Sequence, residues 1–379
     1  MVALLTFQSL ALVTRWADDM AHYTYILCDL ITDNLITQLP FESVTFDRAI
    51  NKAGNFRASF GLNRTGFDNQ DVLDATQPGR TALYVDRDGQ LVWGGIIWSR
   101  TWQEMGNSLQ FTAQTFDSYF SQVDIDHTLA YTKTDQLVIV KSIIQDMQNT
   151  PSSNIGIQLP TSFPSSTINT SRDATFNWYE FWDYGKAITH MTDLDGGPDY
   201  TIDVFYDSAG NRIKYLNLAN KLGTDFEYPF QYPGNITNYW YPENAAKGAT
   251  RAVGIGTGEG SSIAHSRIDS NLIGWGYPKL TQFMTDKRLN KTDIASKTQA
   301  FLNANLVPVS IPTFQVEANL DPQFGEYQLG DTVRVFVESA RFPSGLAFKS
   351  RIIGWSVTPA QSNSRETVTL TLDGADTSV

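Results

Sequence analysis

The chain has 379 residues, 41% hydrophobic and 12% aromatic, and its 40 acidic against 28 basic side chains give a formal net charge of −12. That composition excludes a disordered scaffold, and the length implies two to four packed units. An acidic chain without any lysine or arginine run is poorly built to grip phosphate backbones, and one cysteine excludes an internal disulfide and any cysteine-based zinc site.

Residues 1–22 have no basic region before the short apolar run Val2–Leu5, and Gln8, Arg15 and Asp18-Asp19 break up the rest of the segment. They are neither signal peptide nor anchor, and no apolar stretch approaches a membrane span. An arm or short helix that contacts a neighbouring subunit is expected there. Tyr23–Thr32 and Leu35–Leu39 then alternate as a hairpin around Asp33-Asn34, with Cys28 a buried strand residue. Ser43–Ile50 and Asn55–Leu62 make a second hairpin, placing Val44, Phe46, Phe56, Ala58 and Phe60 on one face. Asp68–Thr76 reads as a short helix or turn. Thr81–Val85 and Leu91–Trp98 flank Asp86-Arg87-Asp88-Gly89, whose residues tolerate positive φ, and Leu109–Thr115 adds a third strand. Residues 23–130 thus form a first antiparallel β-barrel or sandwich.

At Thr134 the period changes. Thr134-Asp135-Gln136 caps a helix over Leu137–Asn149, with Leu137, Val140, Ile144 and Met147 on one side, and a Ser/Thr/Pro-rich loop runs on to Thr170. A second helix is expected over Tyr179–Leu194, then a hairpin of Tyr200–Tyr206 and Arg212–Leu218, so that 131–222 is an inserted α+β domain. Residues 223–305 connect onward through strands Asn235–Trp240 and Thr250–Gly256, a flexible loop Gly256–Ser262 and an amphipathic helix Lys291–Ala304 carrying Ile294, Ala295, Ala300 and Phe301. Pro308–Pro312 opens a strand at Thr313–Ala318. Residues 306–379 repeat the earlier grammar, with strands Thr332–Glu338, Leu346–Val357 and Glu366–Asp373. Ile96-Ile97-Trp98-Ser99 matches Ile352-Ile353-Gly354-Trp355-Ser356, one residue out of register. Two sheets sharing a taste for Ile and Trp would give this, and so would a duplicated β-unit. The fold class is mainly β with an α+β insertion: two related antiparallel β-barrel units joined by α+β segments.

Motifs of chemistry are sparse. Gly254-Ile255-Gly256-Thr257-Gly258-Glu259-Gly260 fails the dinucleotide spacing at Glu259, and no helix pattern comes directly after it. His22, His127, His190 and His265 stand far apart and outside metal-ligand spacings. Asp193-Leu194-Asp195-Gly196 starts like a calcium loop but lacks the distal glutamate. Asp124, Asp126, Glu180 and Asp183 are the acids from which a glycosidase pair would be drawn. The clusters Trp178-Tyr179, Phe181-Trp182, Tyr184 and Tyr239-Trp240-Tyr241 suit a core, a sugar-stacking face or an intersubunit surface. No catalytic, cofactor-binding or metal-binding residue is assigned.

Four stretches carry a resemblance to the tail-tip or baseplate hub proteins (minor tail proteins) of long-tailed bacteriophages, of the actinobacteriophage type. They are Phe46-Asp47-Arg48 with Asn55–Leu62, Leu91-Val92-Trp93-Gly94-Gly95-Ile96-Ile97, Tyr232-Pro233-Gly234-Asn235-Ile236 and Tyr327-Gln328-Leu329-Gly330-Asp331-Thr332-Val333-Arg334-Val335. The resemblance implies a non-enzymatic virion protein at the tail tip, assembled in the host cytoplasm as a homotrimer whose six barrels meet a sixfold tube. Implied partners are the distal tail protein ring, the end of the tape-measure protein and tip fibre or spike proteins. A lytic or receptor-binding region is expected to be absent, because the chain stops at Val379.

Overall fold

Alternating apolar and polar side chains draw seven strands from the start of the chain: β1 (Tyr23–Asp29), β2 (Leu35–Gln38), β3 (Glu42–Ala49), β4 (Asn55–Gly61), then β5 (Thr81–Arg87), β6 (Gln90–Gln103) and β7 (Ser108–Thr115). The computed structural model describes residues 21–62, 64–163, 170–240, 242, 245, 248–306, 313–360 and 364–373. The expected arm therefore lies almost wholly outside the described residues, as do Tyr241, the Pro308–Pro312 opening and part of the loop before Thr170. Between β4 and β5 sits helix α1 (Asn69–Ala75), whose cap Asp68 accepts from the Gln70 and Asp71 amides. The strands pair antiparallel in the order β3-β4-β7-β6-β5-β1-β2.

The insertion continues the chain as β8 (Leu129–Asp135), α2 (Gln136–Asn149), β9 (Ile157–Gln158), β10 (Ser171–Phe176), α3 (Tyr184–Thr192), β11 (Asp199–Tyr206) and β12 (Arg212–Ala219). Asp135 caps α2 through the Leu137 amide at 2.7 Å, and the expected stripe of Leu137, Val140, Ile144 and Met147 is buried. The second helix is shorter than the sequence suggests. Trp178–Glu180 makes one 3-10 turn, Phe181 adopts φ +55°, and Asp183 restarts the chain by accepting from the Lys186 amide at 2.7 Å. β8 and β10, absent from the sequence-based reading, pair antiparallel; β8 buries no side chain fully and β10 buries only Ala174 and Phe176.

The remaining strands are β13 (Phe230–Tyr232), β14 (Ile236–Trp240), β15 (Arg251–Ile255), β16 (His265–Asp269), β17 (Thr281–Thr285), then after helix α4 (Lys291–Ala304) β18 (Thr313–Glu317), β19 (Thr332–Val337), β20 (Leu346–Thr358) and β21 (Thr367–Leu372). β15, β16 and β17 form a small sheet under α4. The stripe that α4 buries is Ile294, Thr298 and Leu302, spaced four apart, rather than Ile294 with Ala295, Ala300 and Phe301. The other strands form the order β14-β18-β21-β20, with β19 on β20 and β13 parallel to β19. Residues 223–305 thus supply two strands of the second sheet unit.

The two units are one sheet. β20 pairs with β3 from Gly354↔Ala49 to Val357↔Phe46, making thirteen strands continuous among the described residues. Their inner faces share a core that includes Phe46, Phe56, Trp93 and Phe111 from the first unit and Phe230, Phe314, Val357 and Leu370 from the second. Both units repeat one pairing scheme. β6 pairs with β5 through one half and β7 through the other, with a bulge between Ile97 and Ser99, and β7 continues to β4. β20 does the same with β19 and β21, with a bulge between Ile352 and Gly354, and β21 continues to β18. Superposing the bulges aligns Ile97 with Ile352, one residue away from the match of Ile96 with Ile352 in the sequence. A bulge inserts one residue and shifts the face of everything after it, which is why residue identity alone misplaces the register.

Candidate functional site

The residues singled out for chemistry do not converge. Among the described residues no three His, Cys, Asp or Glu side chains are placed to hold a metal ion. His190 is buried against Phe176 and Trp182, with its pKa pushed down to about 4 by burial and then by Lys297. His127 is half exposed and lies 2.8 Å from Asp126 and 3.3 Å from Asp146, whose hydrogen bonds and charge raise its pKa. Cys28 is free and fully buried, its thiol pushed up to about 11 by burial, which makes it an inert packing residue.

The four candidate acids are structural too. Asp124 and Asp183 face each other only as a backbone bridge. Asp183 caps α3 and pairs with Lys186 at 2.5 Å, while Glu180 accepts from the Trp182 indole at 3.0 Å. Asp193 ends α3 and lies 3.5 Å from Lys297. In the glycine run, Gly254 serves packing: a Cβ there would stand 1.9 Å from Thr298 Oγ1, so α4 can approach β15 only over a glycine. Gly94 plays the same part on β6, where a Cβ would lie 2.8 Å from Val204 of the insertion.

The stretches that carry the resemblance fix turns and seams. Asn235 accepts from the Gln231 amide at 2.7 Å and donates to the carbonyls of Pro229 and Asp321, closing the turn between β13 and β14. Asp331 is buried and accepts from the Gln328 and Thr224 amides at 2.8 and 2.9 Å, so it pins the entry to β19 onto the chain leaving the insertion.

Polar clamps hold the units together. Arg87 of β5 meets the buried Glu366 at 2.9 Å through both Nε and Nη2, and the Tyr23 hydroxyl donates to the same carboxylate. Burial, and then that carboxylate, holds the Tyr23 phenol far above its usual range. This clamp crosses from the first unit to the second. Arg48 of β3 pairs with Asp203 of β11 at 2.5 Å, and Arg351 of β20 pairs with Asp199 while donating to Leu222 O at 2.8 Å. Asp33 gathers the Tyr84 hydroxyl at 2.5 Å, Arg212 at 3.1 Å and Lys214 at 3.5 Å. Such buried, fully partnered charges fix geometry, because removing one partner strands the other. The sequence hides them: the partners stand from 51 to 343 residues apart.

What is left open is surface. The sheet ends at β2, with Leu35 and Ile36 exposed, and at β14, with Trp240 exposed. The expected aromatic clusters divide: Trp182 and Tyr184 are core, whereas Trp178, Tyr179 and Phe181 project, Phe181 at 81% exposure. Trp102 and Met105 protrude at the β6–β7 turn.

No family model and no curated protein matches the sequence. Among solved structures the fold is similar to the 43 kDa tail protein of prophage MuSo2 from Shewanella oneidensis, at 10% identity and a TM-score of 0.61, over 92% of this chain and 98% of that one. It is also similar to a tail protein from Neisseria meningitidis MC58 (13% identity, TM-score 0.56, 92% and 96% covered). A third similarity is to a chain of the Francisella PdpA–VgrG complex, at 10% identity and a TM-score of 0.54, over 94% of this chain but 58% of the other. The fold is therefore similar to that of these phage tail proteins.

Proposed function

We propose that this chain is a structural protein of a phage tail, and within the tail the hub that closes the tube at its tip. The observation that carries the reading is the repeated pairing scheme: two like sheet units in one subunit, joined rigidly through β20 and β3 and locked by the Arg87–Glu366 clamp. A subunit of two like units assembled as a closed trimer presents six units to a sixfold ring and three to whatever lies below. The likeness to tail and VgrG structures supports the same role. On this reading the distal tail ring lies above, the end of the tape-measure protein inside and a fibre or spike below. The work is done by contacts that shift on adsorption rather than by catalysis, and the acidic surface suits a lumen through which DNA slides without sticking.

The chain divides, in this proposal, into the arm of residues 1–22, a first unit over 23–130, the insertion over 131–222, a connecting stretch 223–305 and the second unit from 306. A distal tail ring protein would need one barrel, and two units of like order count against it. The test of position is labelling of virions of the encoding phage with antibody raised against the purified chain. Label confined to the tail tip is expected. Label along the shaft, on the head or on free fibres alone overturns the reading.

A further inference from the structure

We propose that the free edge of β2, with the groove between it and α1, receives an extended lysine- or arginine-bearing segment of another protein as an added strand. β2 is the last strand of the sheet, paired on one side only. The Leu39 amide donates back to Tyr25 O at 3.1 Å, so by alternation the N–H and C=O of Gln38 point away from β1 towards the open edge, beside the groove that Leu35, Ile36, Thr37 and Leu39 line. Leu35 and Ile36 are exposed side by side, because a bulge between Leu27 and Cys28 in the β1–β2 register sets Ile36 out of line.

The groove has a volume of about 820 Å³ and runs along this edge under α1. That is room for a short extended peptide. Its charge selects the occupant: Asp29, Asp68, Asp71 and Asp74 line it against the single cation Arg80. Arg80 stands 3.7 Å from Asp29, whereas among the described residues Asp68, Asp71 and Asp74 make no ion pair. Backbone pairing would supply affinity, Leu35 and Ile36 an apolar contact, and the aspartates the preference for cations. The inference rests on the groove alone and stands or falls independently of the tail-tip reading.

The test uses the full chain and two labelled eight-residue peptides, one alternating valine with lysine and one alternating valine with glutamate, followed by fluorescence anisotropy. The lysine peptide is expected to bind, more weakly as salt rises, and to slow hydrogen exchange at Gln38, while the glutamate peptide does not bind. The double variant Asp71→Lys/Asp74→Lys, which alters only surface groups, is expected to lose about tenfold or more in affinity. Gln38→Pro, which removes an edge amide, is expected to abolish binding, and if that variant unfolds the charge reversal remains decisive. Equal binding of both peptides, or binding indifferent to the charge reversal, overturns the proposal. So does self-association of the chain that Gln38→Pro abolishes, or binding of the peptide only after residues 1–20 are removed, since a second copy or the chain's own arm would then be the occupant.

Discussion

The two sheet units follow one pairing scheme and differ in what covers them. With Ile97 set on Ile352, the inward residues Leu83, Val85 and Trp93 of the first unit stand where Val333, Val335 and Phe348 stand in the second, and all six are buried. On the outer face, Ala82 and Tyr84 stand where the second unit has Thr332 and Arg334. The insertion packs on that face of the first unit, over Ile26, Cys28, Ala82, Tyr84 and Ile96, whereas Arg334 is exposed. Like pairing with unlike outer faces shows that the inner face specifies the sheet, and that the outer face is free to serve whatever docks there.

The largest expected difference between the units lies at their matched outer positions. Tyr84→Ala removes a fully buried ring and its hydrogen bond to Asp33, and should cost about 3–5 kcal/mol in chemical denaturation. Arg334→Ala, at the equivalent place in the second unit, should change stability by less than about 0.5 kcal/mol. Equal effects would mean that the units are not related as the bulges align them. The clamp across the units comes next. Glu366→Ala leaves Arg87 without its buried carboxylate and should cost about 3 kcal/mol, seen as earlier thermal unfolding of both units together. Separate transitions for the two units would contradict the single rigid sheet.

Two histidines, His127 just before the insertion and His190 within it, extend the contrast between covered and open faces. His190 is held neutral, with a folded pKa of about 4 against 6.5 when unfolded, so between those values the unfolded chain binds more protons. Its contribution is fully present above pH 6.5 and is lost as pH falls towards 4, by at most about 3 kcal/mol. His127 has the opposite sign: its pKa is raised, so its contribution is present below the unfolded pKa and is lost as pH rises through the folded one. It is half exposed, and its effect is the smaller. Denaturation midpoints measured from pH 4 to 8 should lose the acid-side decline in His190→Gln and keep it in His127→Gln. An unchanged decline in His190→Gln would contradict the burial assigned to that ring.

Much of the sheet is legible in the sequence because one-sided burial leaves a period of two: Val44, Phe46, Phe56, Ala58 and Phe60 alternate onto one face and are all in the core. Helix α2 is legible for its cap and its stripe. What stays hidden is of two kinds. β16 and β17 and the β8–β10 pair carry mostly half-exposed or exposed side chains, many of them polar on both faces, so little apolar alternation marks them in the sequence. The second helix is overextended in the sequence because Trp178 to Trp182 has helical spacing of aromatics, which makes Asp183, a good cap, look like an interior residue. The exposed aromatics are the least legible of all, since an exposed Trp178 and a buried Trp182 look alike in sequence.

The most direct test of the hub is the mass of the purified chain in solution by light scattering across a range of concentrations, with class averages of the same sample in negative stain. The account predicts a particle of three subunits with six lobes around an open centre. A particle that stays a compact monomer at every concentration, or a ring with one lobe per subunit, would contradict it.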